Sequence, residues 1–212
     1  MKEKWIWLPD WASDLSLWED DLADAGASAS HTFVPYEKMA LALDDIYSVD
    51  GLSKADTVVG WGMGCLLLML GASKRPKGQN WIFLSPYADF CDEDGPWNSE
   101  NLLFKAREIF QSPDVVLDAF KEQIGEEYSD WPDEWADAAR KMDATRLSEG
   151  LKFLASHRVD SPIANSENIQ VLYGRMDQDV TSAMTLRLKE FLPQATFKER
   201  PKAGHWPPML LF

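Results

Sequence analysis

The stretch Gly60-Trp61-Gly62-Met63-Gly64 separates the apolar run Thr57-Val58-Val59 from the apolar run Cys65–Leu70. That pattern predicts a buried strand, a tight turn and a helix, and two kinds of chemistry use such a junction. A dinucleotide cradle sets a pyrophosphate against the helix N-terminus. It needs glycine or alanine at the sixth position, where this chain has Cys65, and it usually follows the first strand, whereas two predicted strands come earlier here. A nucleophile elbow instead needs small residues two positions either side of its centre, so that the chain turns sharply and the central side chain stands exposed. Gly60 and Gly64 meet that condition around Gly62. The centre of this elbow is therefore a glycine, which has no atom able to attack a carbonyl.

An elbow implies an acid and then a histidine, each just after a late strand. The segment "IQVLYGRMDQDV" offers Asp177, and "FKERPKAGHWP" offers His205, one of only three histidines in the chain. Asp177 is read as the triad acid in preference to a helix cap, and Asp179 is the better cap for "VTSAMTL". His205 is read as the base, while His31 and His157 have no such company and read as structural. Cys65, on a nearly all-apolar helix, reads as a buried thiol and not as a substitute nucleophile. Ser85, at the end of "FLS", stands at a strand end facing the same space, with no partner apparent in the sequence.

The elements that would position these residues alternate. "KWIWLP", "SHTFVPY", "ADTVVG", "NWIFLSP", "IQVLYG" and "ATFKER" are short runs rich in strand formers. Between them, "SDLSLWEDDLADAG" predicts one helix capped by Ser13 and stopped at Gly26, "EKMALALDDIYSV" a second, "MGCLLLMLGA" a third, and "RLSEGLKFLASH" and "TSAMTLRLKEFL" two more. Continuous apolar strands alternating with helices predict an α/β domain with a mostly parallel, doubly wound sheet covered on both faces. The alternation breaks at Asp89, and residues 89–145 read as a helical lid inserted into a single domain of residues 1–212.

At this point the chain resembles the α/β-hydrolase family. The residues that carry the likeness are "LPDWASDLSLW", "GWGMG", "FLSPYADFCDEDGPW", "LYGRMD" and "KAGHWP". Within the family it is similar to the small carboxylesterases that act on pimeloyl-acyl-carrier-protein methyl ester in biotin synthesis. The resemblance implies ester hydrolysis by a Ser-His-Asp mechanism, with Gly62 at the nucleophile position, Asp177 as acid and His205 as base. It implies an oxyanion hole made of the backbone N–H groups of Met63 and Trp11, and an acyl pocket lined by Trp61, Trp11 and Tyr87. No cofactor and no metal are implied. Two departures stand out: Pro9-Asp10 replaces the family's His-Gly ahead of the oxyanion-loop residue, and "FVPYEKM" lacks the usual acidic-proline-glycine motif. With the elbow otherwise intact, serine restored at position 62 is expected to put an oxygen within reach of His205.

Composition bounds the partners. The 212 residues are 45% hydrophobic and carry a net charge of −14, which disfavours nucleic acid and anionic membranes. Two cysteines make no disulfide framework, and no signal peptide or spanning segment is read, so a cytoplasmic location is expected. Asp89–Asp143 holds sixteen acidic and five basic residues, a net 5 − 16 = −11. Such a lid would repel an acidic acyl carrier protein, so a small neutral acyl ester fits at least as well. Two functions stay open: a carboxylesterase scaffold inactive as written, whether Gly62 is natural or introduced, and a non-catalytic small-molecule-binding protein.

Overall fold

A computed structural model describes residues 2–125 and 131–212. Six strands form one sheet in the order β2-β1-β3-β4-β5-β6, namely β1 Lys4–Leu8, β2 Ser30–Phe33, β3 Thr57–Trp61, β4 Asn80–Leu84, β5 Ile169–Gly174 and β6 Thr196–Arg200. All five pairings are parallel. Every residue of β3 is buried, as expected of a strand covered on both faces.

The helices are α1 Glu19–Ala23, α2 Tyr36–Ala40, α3 Met63–Leu70, α4 Ser99–Glu108, α5 Pro113–Ile124, α6 Trp131–Ala139, α7 Ala144–Leu154, α8 Ser182–Arg187 and α9 Pro207–Leu211. The β1-to-β2 connection runs one way along the sheet and the later ones run the other way. Right-handed crossovers then put α1 on one face and α2, α3 and α8 on the opposite face. The buried residues of sheet and helices form one continuous cluster. Among the described residues, no helix is long and apolar enough to cross a membrane.

Two predicted helices are shorter than their periodicity suggests. "EKMALALDDIYSV" contains α2 and then a separate 3-10 turn, Ile46–Ser48, because the Asp45 carboxylate accepts the Tyr47 N–H at 3.1 Å and starts a new turn. The first helical segment divides into a 3-10 turn over Leu15–Trp18, α1 and a second 3-10 turn. Its cap is Asp14 and not Ser13, whose hydroxyl instead donates to Trp11 O at 2.9 Å. Residues 89–145 contain α4, α5, α6 and the start of α7, and residues 126–130 of that insertion lie outside the described residues.

The chain places β2 on one side of β1 and β3 on the other, so the order reverses between β1 and β3. In sheets of this kind the crevice outside the carboxyl ends at that reversal is where ligands bind. Leu8 pairs in register with Gly60, which sets Pro9-Asp10 beside Trp61-Gly62 at the lip of the crevice.

Candidate active site

Gly62 joins β3 to α3 with φ +48° and ψ −109°. Its N–H donates to Leu84 O at 3.0 Å, which continues the ladder into the turn, and its carbonyl accepts the Cys65 N–H at 3.0 Å, which starts the helix. Gly64 lets the helix approach β1: a Cβ there would stand 2.7 Å from Leu8 O, a backbone atom with nowhere to go. Gly62 is a different case. A Cβ built on it would overlap the carboxylate of Asp10. A positive φ does not by itself demand glycine in this fold, because Ser85 at the end of β4 has φ +45° and Ala12 has φ +53°. The missing side chain at position 62 leaves room for the carboxylate of Asp10.

That carboxylate is held on all sides. Asp10 Oδ1 accepts the Met63 N–H at 2.6 Å and the Trp11 N–H at 2.7 Å. Asp10 Oδ2 lies 3.1 Å from His205 Nε2. On the far side of the imidazole, His205 Nδ1 lies 2.9 Å from Asp177 Oδ2. Asp177 is itself saturated: Oδ1 accepts the N–H groups of Asp179 and Val180 at 3.0 and 2.8 Å, and Oδ2 also accepts the Ser85 hydroxyl at 2.8 Å. The loops after β5 and β6 are tied together by the Met176 N–H donating to Ala203 O at 3.0 Å.

The structure thus brings Gly62, Met63, Trp11, Asp177 and His205 into one constellation. The two N–H groups assigned to an oxyanion hole converge, but both bind Asp10. Trp61 lines the site, its ring 5.2 Å from that of His205. Tyr87 does not: it is fully buried behind the wall, its ring packed 4.9 Å from Phe90. The sequence reading missed Asp10 as a site residue and left Ser85 without a partner. The signal for Asp10 was the exchange of a glycine for an acid at position 10 together with the loss of a side chain at position 62. Cys65 donates to Gly60 O at 2.9 Å and is buried, and burial pushes its thiol pKa well up, so it is inert.

A cavity of about 20 Å3, enough for one water, adjoins the constellation. Its wall includes Asp10, Trp61, Asp179 and His205 from the strand ends, and Phe120, Ile124 and Trp135 from α5 and α6. The insertion is anchored through indole N–H groups. Trp135 donates to the Ser13 hydroxyl at 3.1 Å and Trp97 to the Asp179 carboxylate at 2.6 Å. Trp131 instead packs edge-on against Trp18, centroids 6.5 Å apart.

The electrostatics follow from three buried carboxylates around one imidazole. Burial pushes Asp179 up to about 7, against the opposing pull of His205 and of the Trp97 N–H. Burial alone would lower the His205 pKa. The charge of Asp177 and then the contact with Asp10 outweigh it and hold His205 well above its ordinary value. Both ring nitrogens of His205 face a carboxylate oxygen, an arrangement that favours an imidazolium donating from each. Among the described residues, no group of three or more His, Cys, Asp or Glu side chains is disposed to hold a metal ion.

No family model and no curated protein matches the sequence. Solved structures do match the fold. An esterase from Exiguobacterium antarcticum is 12% identical with a TM-score of 0.73, over 96% of this chain and 85% of that one. A thermophilic esterase from Thermogutta terrifontis is 17% identical with a TM-score of 0.72, over 99% and 85%. An enol-lactonase from Burkholderia xenovorans LB400 is 13% identical with a TM-score of 0.67, over 94% and 83%. The parallel sheet, the elbow after β3 and these likenesses together establish that the chain has the α/β-hydrolase fold.

Proposed function

We propose that this protein is a carboxylesterase-type scaffold in which serine-type ester hydrolysis is shut off, and in which the Asp10 carboxylate leaves only a one-water space between the strand ends and the apolar wall of the insertion. The observation that carries the reading is the Asp10 carboxylate on Met63 N, Trp11 N and His205 Nε2. An acyl ester needs those two N–H groups for the oxyanion of its tetrahedral intermediate, and it needs a nucleophile beside them. Here the donors are occupied by a fixed anion and the nucleophile is absent. Asp177 and His205 remain in triad geometry with nothing to activate at position 62.

In this reading residues 89–145 serve as a lid that supplies the apolar wall, with Phe120, Ile124 and Trp135 facing the space that removal of the Asp10 side chain enlarges. The aromatic lining favours a neutral acyl or alkyl group. The −11 charge of the insertion repels an acidic carrier protein, so a free small ester or its analogue is favoured over a carrier-bound pimeloyl ester, and a role in biotin synthesis is the less favoured assignment.

The test is restoration. The Asp10→Gly, Gly62→Ser double variant empties the oxyanion hole and returns the nucleophile. It should hydrolyse a short p-nitrophenyl ester at least about 10³-fold faster than the unaltered chain, a cautious fraction of what a triad contributes. A folded double variant that gains nothing across several acyl lengths contradicts the reading.

A further inference from the structure

Helix α4 is apolar on two opposite faces. Leu102, Ala106 and Ile109 make the inner face: all three are buried, and the Ser148 hydroxyl of α7 donates to Ala106 O at 2.6 Å. Leu103, Phe104 and Phe110 make the outer face and are 38%, 60% and 55% exposed. At about 3.6 residues per turn, Leu103 and Phe104 flank a line along the helix on which Glu100 and Arg107 stand, one turn before and one turn after. Both charged residues are exposed, and among the described residues neither makes an ion pair or a side-chain hydrogen bond. Arg140 and Arg187, by contrast, each hold three carboxylates.

An acidic residue in the first turn and a basic one in the last suit the helix dipole. That accounts for their signs. It does not account for the exposed leucine and phenylalanine on either side of the line between them, which gain nothing from water. Charge also sets α4 apart. The segment Asp89–Asp143 carries a net −11, and α5 and α6 are acidic, yet α4 balances Glu100 and Glu108 against Lys105 and Arg107. A face that is apolar in the middle, negative at one end and positive at the other is complementary to itself turned end for end.

We propose that α4 pairs with α4 of a second copy of this chain, antiparallel across a two-fold axis that passes between Leu103 and Phe104. Glu100 and Arg107 stand about 5 Å along the helix on either side of that axis. Glu100 then meets Arg107 of the partner subunit, and Arg107 meets Glu100 of the partner subunit. Leu103 and Phe104 each pack against their own copies between those two ion pairs. Such a contact is isologous, with the same patch used on both subunits. At about 200 Å2 per aromatic side chain, Phe104 and Phe110 together show roughly 230 Å2 of it. The contact as a whole stays below about 1,200 Å2, the class of weak and reversible association, with a dissociation constant on the order of 10⁻⁵ M. Two chains of net charge −14 repel each other at long range. At physiological salt that field decays over about 8 Å, and the helices that face each other are neutral. The pairing is independent of any chemistry at Asp10, because it uses the outer face of the insertion.

Sedimentation equilibrium of the unaltered chain at physiological salt, from about 1 to about 500 μM, brackets that constant and should show reversible dimerisation. Phe104→Glu should weaken the dimer at least about tenfold, because it sets two carboxylates against each other at the centre. Arg107→Glu should weaken it at least about threefold, since each end then opposes two carboxylates, and Glu100→Arg should do the same with two guanidinium groups. An equimolar mixture of those two charge-reversed variants should dimerise like the unaltered chain, because every end again joins opposite signs. Weakening in each single reversal together with rescue in the mixture requires the antiparallel register. A chain that stays monomeric at the highest concentration overturns the proposal. So does a dimer that Phe104→Glu or the single reversals leave unchanged, or one that the mixture does not rescue. A monomer that binds phosphatidylcholine vesicles through Phe104 would give the face to a membrane surface and also overturn it. If Phe104→Glu fails to fold by circular dichroism, the charge-reversed mixture decides.

Discussion

Serine at position 62 by itself should not revive ester hydrolysis, contrary to what the elbow sequence alone suggests. The new Cβ overlaps the Asp10 carboxylate, so one of the two must give way. If Asp10 moves, it abandons two backbone donors and leaves His205 beside Asp177 with one partner gone. Breaking a buried charge contact of this kind costs about 3–5 kcal/mol. For a chain of this size each 1 kcal/mol is worth roughly 2–4 °C in Tm, so Gly62→Ser should melt roughly 6–20 °C lower. Its ester hydrolysis should stay within about threefold of the unaltered chain, and so should that of Asp10→Gly, which still lacks a nucleophile. The double variant should gain at least about 10³-fold. Independent effects would combine to only about tenfold, so the coupling is at least about 10²-fold, or about 3 kcal/mol. The assay is initial rates on p-nitrophenyl acetate for all four members of the cycle, with circular dichroism melts alongside. A Gly62→Ser single variant as fast and as stable as the double would refute the idea that Asp10 and a side chain at position 62 compete for one space.

Stability should fall as pH rises through the acid range. Asp179 is held up near 7 by burial, so the folded chain binds that proton more tightly than the unfolded one. Its stabilisation is complete below about pH 4 and lost by about pH 7, amounting to about 4 kcal/mol. Asp179→Asn keeps an acceptor for Trp97 and should flatten the urea-midpoint profile between those pH values, so an unchanged slope would count against the assignment. The raised His205 pKa acts in the same direction above about pH 6.5, and Asp10→Asn should bring that pKa down in an NMR titration. Gly64→Ala drives a Cβ to 2.7 Å from Leu8 O and should cost roughly 1–3 kcal/mol in chemical denaturation. A loss below that range would mean that α3 can back away from β1.

Most of the fold was legible because its cues are local. Each of the four inner strands β1, β3, β4 and β5 is a short, largely apolar run, the two edge strands are short runs of strand formers, and "VVGWGMG" states its own geometry. Asp177 and His205 could be named from order alone, since each follows a late strand and the chain has few histidines. What escaped was set by distance in sequence. Asp10 and Met63 meet because Leu8 pairs with Gly60, a register no window of sequence displays. Ser85 meets Asp177 because Leu84 pairs with Leu172. Tyr87, which the family resemblance puts in the acyl pocket, is instead buried with its ring 4.9 Å from that of Phe90, which lines the cavity. The overlong helix prediction over "EKMALALDDIYSV" failed on one side-chain contact, Asp45 to the Tyr47 N–H, which apolar spacing does not register.

The most direct measurement is the protonation of His205 at neutral pH. With three histidines in the chain, ¹H–¹⁵N spectra of the imidazoles resolve each ring. With Asp177 on Nδ1 and the Asp10 carboxylate on Nε2, His205 should show two slowly exchanging ring N–H protons at pH 7. The Nε2–H signal should shift or vanish in Asp10→Asn, while the Nδ1–H signal persists. A single N–H on Nδ1 in the unaltered chain, insensitive to Asp10→Asn, would show that the carboxylate does not occupy the oxyanion hole.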